Sequence, residues 1–345
     1  MPLISRIIKV LQSSGVEEIF ILSNILALKE ERMIKIIRTK EEVEAHLGPD
    51  YLLIDVPAVF DVVFMKSLLQ FGVTGILSLS KVKERKLPGV YVPLTKEEDF
   101  KLAVKKLFQS LRKPHDTLIS RTMNRPVSLF VSRFLVKTPL KPNLITFFVF
   151  LVGVAAAWVL VMYPNYWGGL IGGTLFHLCS VLDGCDGEVA RLKFQTSRAG
   201  VWLDAISDET TNFLFLGALG VYCATYYENA LFFNLAMIGM AVFFVTKIIQ
   251  YTMIALGYTK EDISQYDFAF EQKGEQKGLK KVFTFLFNIG KNVARNDFYA
   301  LGMMAGGILG ILNVGLMVAL GMTGALFISV LIDFLKKVVF AKKLA

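Results

Sequence analysis

"SVLDGCDGEVARLKFQTSRAGVWLDAISDE", Ser180 to Glu209, sets six acidic and three basic residues between segments that are otherwise almost purely apolar. An aspartate at the centre of a membrane helix costs about 2.5–3.5 kcal/mol, so four left alone would cost on the order of 10 kcal/mol. Something must offset that. At about 100° per helical residue, Asp183, Asp186, Gly187 and Ala190 fall within about 100° of one another, with Arg191 at the edge of that face. Gly200, Asp204 and Asp208 follow at four-residue steps on the next helix, which a short basic loop turns antiparallel to the first. The four carboxylates are expected to converge, and hard divalent cations are the usual partners of clustered carboxylate oxygens. Mg²⁺ or Mn²⁺, as a pair of ions, is the expected cofactor. Gly187, Ala190 and Gly200 leave room for a bulky ligand, and Arg191 offers a fork for phosphate oxygens. The chemistry this suggests is displacement at phosphorus, with one carboxylate taking a proton from the attacking hydroxyl.

The surrounding chain is a membrane sequence. Of 345 residues, 54% are hydrophobic, 12% are aromatic and only 19% are charged, below the roughly one quarter of soluble domains. The first 142 residues read as an ordinary soluble sequence, and long apolar runs begin at Leu144. Six segments reach the length needed to cross a bilayer: 144–163, 166–190, 200–226, 230–256, 297–320 and 323–341. Their linkers "YPNY", "YENA" and "GMTG" carry at most one charge, whereas "RLKFQTSR", the 257–296 loop and the "KKVVFAKKLA" tail are basic. By the positive-inside rule both termini and the acidic cluster belong on the cytoplasmic side of the cell membrane. The same rule accounts for much of the net charge of +9, so no nucleic-acid partner is expected. No secretory signal is legible at the start of the sequence, and Cys179, Cys185 and Cys223 are expected to be packing residues. Within 257–296, "KKVFTFLFNIGKNVARN" suits a helix lying in the interface. Gly302, Gly306 and Gly310 form a small-residue ridge for close helix approach, within the chain or from a second copy in a homodimer.

Ahead of the spans, "EEIFILS", "YLLIDV", "VTGILSLS" and "GVYVPL" predict short buried strands separated by amphipathic helices, an α/β domain with a mainly parallel sheet over 1–112. Thr39 with Glu42 and Thr95 with Glu98 have capping-box spacing. Residues 113–142 predict a juxtamembrane amphipathic segment in which Arg121, Arg125, Arg133, Lys137 and Lys141 meet anionic headgroups of the bilayer. Residues 143–345 then form an all-α polytopic domain.

"DGCDGEVARLKFQTSRAGVWLDAISD" fits D-x2-D-G-x2-A-R-x8-G-x3-D-x3-D without a gap, and the chain thereby resembles the CDP-alcohol phosphotransferases. "KPNLIT" looks like the same family's P-N-x-x-T element. The resemblance implies transfer of a substituted phosphate group from a CDP-alcohol donor to an acceptor alcohol, with release of CMP. It implies that Asp183, Asp186, Asp204 and Asp208 hold metal and that Asp208 is the general base. It also implies that Asp183, Gly187, Ala190, Arg191, Gly200, Asn143 and Thr146 surround the CDP moiety. Many relatives carry Arg or Lys after the last motif aspartate, where this chain has Glu209.

The first domain resembles a sugar-phosphate nucleotidyltransferase without its Gly-rich loop, and Asp55 and Asp61 do not reproduce that family's metal pair. A degenerate, structural domain is expected. The combination resembles the archaeal bifunctional proteins that make CDP-inositol and then di-myo-inositol phosphate phosphate, which implies an inositol phosphate acceptor; phospholipid synthesis is the alternative. Arg125, Arg133, Lys247 and Asp297 are candidate acceptor-binding residues, with headgroup contact, snorkelling or helix capping as the plainer roles. His177 is expected to be packed. A cation transporter or a non-catalytic membrane scaffold would also explain intramembrane charges, though not the accompanying glycines and arginine.

Overall fold

The computed structural model describes residues 119–257 and 296–335 continuously, 96–112, and ten short pieces before residue 94: 6–7, 10–11, 13–14, 19–22, 34–37, 51–53, 58–61, 64–67, 76–78 and 90–93. The chain divides into two compact units, Met1–Pro114 and His115–Ala345.

In the first unit, β1 (Ile19–Leu22) pairs in parallel with β2 (Ile34–Ile37), and β3 (Tyr51–Leu53) in parallel with β5 (Ile76–Ser78). β4 (Ala58–Phe60) and β6 (Tyr91–Pro93) are antiparallel. Four of these strands lie in the runs the sequence predicts; β2 and β4 do not. Helix α1 (Glu97–Ser110) packs Ala103 and Leu107 on Val90 and Val92. Its cap falls one residue later than the Thr95–Glu98 spacing predicts, because the Lys96 amide donates to Asp99 Oδ2 at 2.8 Å. Asp61 accepts from the Phe64 amide at 2.8 Å and thus starts a short helical turn. Asp55 and the Thr39–Glu42 box lie outside the described residues.

The described part of the second unit is helical. One π-helical turn at Ser120–Asn124 leads into α2 (Arg125–Leu135). Then come α3 (Pro142–Met162), α4 (Tyr166–Leu182), α5 (Gly184–Lys193), α6 (Arg198–Tyr226), α7 (Leu231–Ala255), α8 (Asn296–Leu309) and α9 (Leu312–Phe334). Pro142 opens α3, where a missing N–H costs nothing. Asn165 Oδ1 caps α4 by accepting from the Gly168 amide at 2.9 Å, and Ser197 Oγ caps α6 by accepting from the Gly200 amide at 3.0 Å. Among the described helices, α3, α7 and α9 are long and apolar enough to cross a membrane. Phe176 and Phe215 stack at 3.8 Å in a core shared with Leu160, Leu219, Tyr222, Met303 and Leu316.

Three expectations are corrected. The segment 166–190 is jointed at Asp183, which separates α4 from α5. The turn between the last two apolar helices is not at "GMTG", which lies inside α9, but at Gly310–Ile311. Gly310 takes φ +70, and the Ile311 and Gly310 amides donate to Gly306 and Gly307 carbonyls at 2.9 and 3.3 Å, a Schellman closure that ends α8 after 14 residues. Within the chain the Gly302–Gly306–Gly310 ridge therefore does not serve as a packing surface: a Cβ on Gly302 would meet nothing within 4 Å, and one on Gly306 would meet only Ile311 and Leu312 just past the turn. The close approach is made by Gly173 and Gly307 instead, where a Cβ would come 2.5 Å from Met303 O and Gly169 O respectively. Outside the described residues lie the interfacial segment within 257–296 and the basic tail.

Candidate active site

The joint at Asp183 and the start of α6 bring the motif aspartates together. Asp183, Asp204 and Asp208 each offer an oxygen, all within 4.8 Å of one another. Asp208 lies close enough to Asp183 to repel it, and Asp186 lies beside Asp204. Carboxylates gathered this closely repel unless a cation lies among them, and the donor set is wholly hard oxygen. A divalent ion fits this set, held by Asp183, Asp204 and Asp208 with Asp186 alongside.

Thr146 on α3 donates from Oγ1 to Asp186 Oδ2 at 2.5 Å and from the same hydroxyl reaches Pro142 O at 3.3 Å. The structure thus puts Thr146 behind Asp186, which also accepts from the Gly187 amide. Asn143, exposed on the first turn of α3, faces Gly200: a Cβ there would lie 3.1 Å from Asn143 Oδ1. A Cβ on Gly187 would meet only Arg191 Nη2, at 4.0 Å, so packing does not demand glycine at that position. Ala190 is buried, while Arg191 is exposed and close enough to Asp186 to attract it. α5 ends with Phe194 in the left-handed region at φ 55, which turns the chain towards Ser197 within four residues. Lys193 ties that end to the loop before α3, donating to Thr138 O and Leu140 O at 2.7 Å each. Desolvation there lowers its ammonium below the ordinary lysine pKa.

Arg125 is not the exposed phosphate or headgroup fork that the sequence suggests. It is buried, and its Nη1 donates to Glu188 Oε1 at 2.7 Å. Ser128 Oγ reaches the same oxygen at 2.9 Å, and Ser132 Oγ reaches Glu188 Oε2 at 2.7 Å. Glu188 is wholly buried. α2 is therefore amphipathic with its polar face inward, on α5, while Val127, Phe130 and Phe134 point outward. The sequence carries the signal: Arg125, Ser128 and Ser132 form a helical stripe of donors, and Glu188 needs one. Arg133 stays exposed on α2. Lys247 on α7 is held by Glu209 at 2.5 Å, so Glu209 has a cationic partner on a neighbouring helix. Asp297, in the first turn of α8, accepts from Asn124 Nδ2 at 3.4 Å and borders a cleft with Asp183 and Asp208. Ser180 and Asn212 border it too, and neither stands out in the sequence. His177 is buried as expected, and all three cysteines are buried and free.

A family model described as CDP-alcohol phosphatidyltransferase matches residues 140–319. Curated proteins named bifunctional IPC transferase and DIPP synthase are also similar. The one from Aquifex aeolicus is 39% identical over 126 residues, covering 36% of this chain and 28% of the relative. That from Archaeoglobus fulgidus is 31% identical over 178 residues, 50% of this chain and 33% of the relative. That from Thermococcus kodakarensis is 32% identical over 202 residues, 56% of this chain and 44% of the relative. The chain thus spans less than half the length of these relatives. The family match, by contrast, takes in every motif position from Asn143 to Asp208 and just over half of the sequence, and on that ground the chain belongs to the CDP-alcohol phosphatidyltransferase family.

Proposed function

We propose that this protein transfers a substituted phosphate group from a CDP-alcohol to the hydroxyl of a second alcohol, releasing CMP. The observation that carries this reading is the meeting of Asp183, Asp186, Asp204 and Asp208 beside an open space at Gly187 and the guanidinium of Arg191. Mg²⁺ or Mn²⁺, as two ions, would supply neutralisation of the phosphate oxygens. Asp208 takes the proton of the attacking hydroxyl, whose oxygen forms the new bond to phosphorus. The bond from phosphorus to the CMP oxygen breaks, and CMP leaves with that electron pair. Arg191 draws the phosphates towards Asp186, Gly187 and Gly200 admit the cytidine side of the donor, and Asn143 borders that space. Thr146 acts through Asp186, fixing its carboxylate.

The reading extends to placement. α3, α4 with α5, α6, α7, α8 and α9 make six passes, with the carboxylates near the cytoplasmic face and both termini on that side. The first unit is a nucleotidyltransferase-like domain of structural role. Similarity to proteins named DIPP synthases favours an inositol phosphodiester over a phospholipid as product. The test is to offer purified protein with Mg²⁺ a panel of CDP-alcohols and acceptors and to identify products by mass. Metal-dependent CMP release that is lost in Asp208→Asn supports the reading. CMP release that survives Asp208→Asn removes the base assignment, and an absence of nucleotide binding throughout the panel removes the reaction.

A further inference from the structure

The last residue of α5 reaches a distant part of the chain. Lys193 Nζ donates to Thr138 O and Leu140 O at 2.7 Å each, 55 and 53 positions away. Neither end of this contact needs it locally. α5 is closed without it, by the Gln195 amide on Ala190 O at 2.8 Å with Phe194 in the left-handed region. The Thr138 turn is stiffened by its own hydroxyl, which donates to Leu135 O at 2.7 Å and accepts from the Leu140 amide at 3.4 Å. What the ammonium adds is a tie between the two, using two of its three donors.

Both sides of that tie lead to groups placed above at the CDP moiety. Just past Leu140, Pro142 opens α3, which carries Asn143 and Thr146. On the other side Arg191 lies two residues before Lys193, and Phe194 turns the chain towards Ser197 and Gly200. The two segments face each other again where a Cβ on Gly200 would lie 3.1 Å from Asn143 Oδ1. Deeper in, α5 is anchored by Thr146 on Asp186, by Arg125 on Glu188, and by Val189 in an apolar cluster with Ile145. At 1.5 Å per residue Lys193 stands about 6 Å beyond the last of these anchors, at the open end of the helix.

We propose that Lys193 is a positioning residue for the donor: it sets the separation between the first turn of α3 and the α5–α6 turn, and so how closely Asn143 and Arg191 approach the CDP moiety. The proposal rests on the reaction stated above and deepens it. Lys193 acts through those two residues and not on the reacting atoms. Because the deeper anchors carry the stability of α5, losing the tie loosens the open end and leaves the fold in place. A misplacement of about 1 Å at a positioning group costs up to about 10²-fold.

The experiment uses the full chain in detergent, with CMP and with the CDP-alcohol that the panel shows to be turned over. Lys193→Met removes the ammonium and keeps the stem. It should raise the CMP Kd and the donor KM roughly tenfold, with kcat and Mn²⁺ affinity within about twofold and the melting midpoint within about 2 °C of the parent protein. Lys193→Arg still offers donors to both carbonyls and should bring the CMP Kd back to within about threefold of the parent value. Spin labels on Lys137→Cys and Gln195→Cys, both exposed while the three native cysteines are buried, report the separation directly. Their distance distribution should broaden in Lys193→Met and narrow again in Lys193→Arg. An unchanged distribution in Lys193→Met overturns the tie. A CMP Kd that stays at the parent value, or that rises only in step with losses of Mn²⁺ affinity and melting midpoint, overturns the positioning role while the reaction stands. Failure of the parent protein to bind CMP or CDP-alcohol with metal overturns the reaction and the donor role with it, and the label distances then still decide the tie.

Discussion

Replacing Glu188 with alanine removes the acceptor of three hydrogen bonds, from Arg125 Nη1 at 2.7 Å, Ser128 Oγ at 2.9 Å and Ser132 Oγ at 2.7 Å. The Arg125 side chain is only 9% exposed, so water does not replace the lost carboxylate without rearrangement. Removing one partner of a buried ion pair costs about 3–5 kcal/mol, because the remaining charge keeps its desolvation penalty. For a unit of this size 1 kcal/mol corresponds to about 2–4 °C, so the unfolding midpoint in detergent should fall by roughly 6–20 °C. The double variant Arg125→Met with Glu188→Leu removes both charges and fills the space with apolar atoms, an exchange that is often neutral or stabilising. It should recover most of the loss. Because α5 also carries Asp186 and Arg191, CMP binding measured well below either midpoint should weaken in Glu188→Ala. A Glu188→Ala midpoint within about 2 °C of the parent protein would refute the buried bridge. A double variant melting as low as the single one would show that shape, and not charge pairing, joins α2 to α5.

Thr146→Val removes the donor to Asp186 Oδ2 while keeping the side chain's shape. Its Mn²⁺ affinity should fall by roughly 10–100-fold with an unchanged melting curve, and Thr146→Ser should restore it. Glu209→Lys sets two cations against each other on α6 and α7 and should destabilise by about 1–3 kcal/mol; adding Lys247→Glu should return the midpoint, since the pair is only part-buried and its partners are interchangeable in sign. The glycines should separate by measurement. Gly307→Ala, whose Cβ would press on Gly169 O, should cost about 1–3 kcal/mol of stability, whereas Gly187→Ala should leave the midpoint unmoved and weaken CMP binding.

The carboxylate cluster was legible because side chains at three- and four-residue steps share a helix face whatever surrounds the helix, so Asp183, Asp186, Asp204 and Asp208 were bound to meet once their helices turned back on each other. Two features were not legible, for different physical reasons. Periodicity in α2 separates a polar from an apolar stripe but does not say which faces inward. Around a soluble domain the polar stripe faces out, yet beside hydrocarbon the outer medium is the apolar one, and the inward face can carry Arg125, Ser128 and Ser132 if it finds a carboxylate. The cue lay 56 residues from Ser132, in Glu188, and only the fold joins them. Glycine spacing failed in another way. Four-residue steps define a ridge only while the helix continues, and Gly310 is the residue at which α8 stops, its positive φ releasing the Gly306 and Gly307 carbonyls to the turn. The packing surface then passes to Gly307, which faces Gly169 on α4, and this contact brings Asp297, at the start of α8, to the cleft that Ser180, at the end of α4, also borders. How α8 reaches the carboxylates is thus set by a helix contact more than two turns from them, which no local stretch of sequence contains.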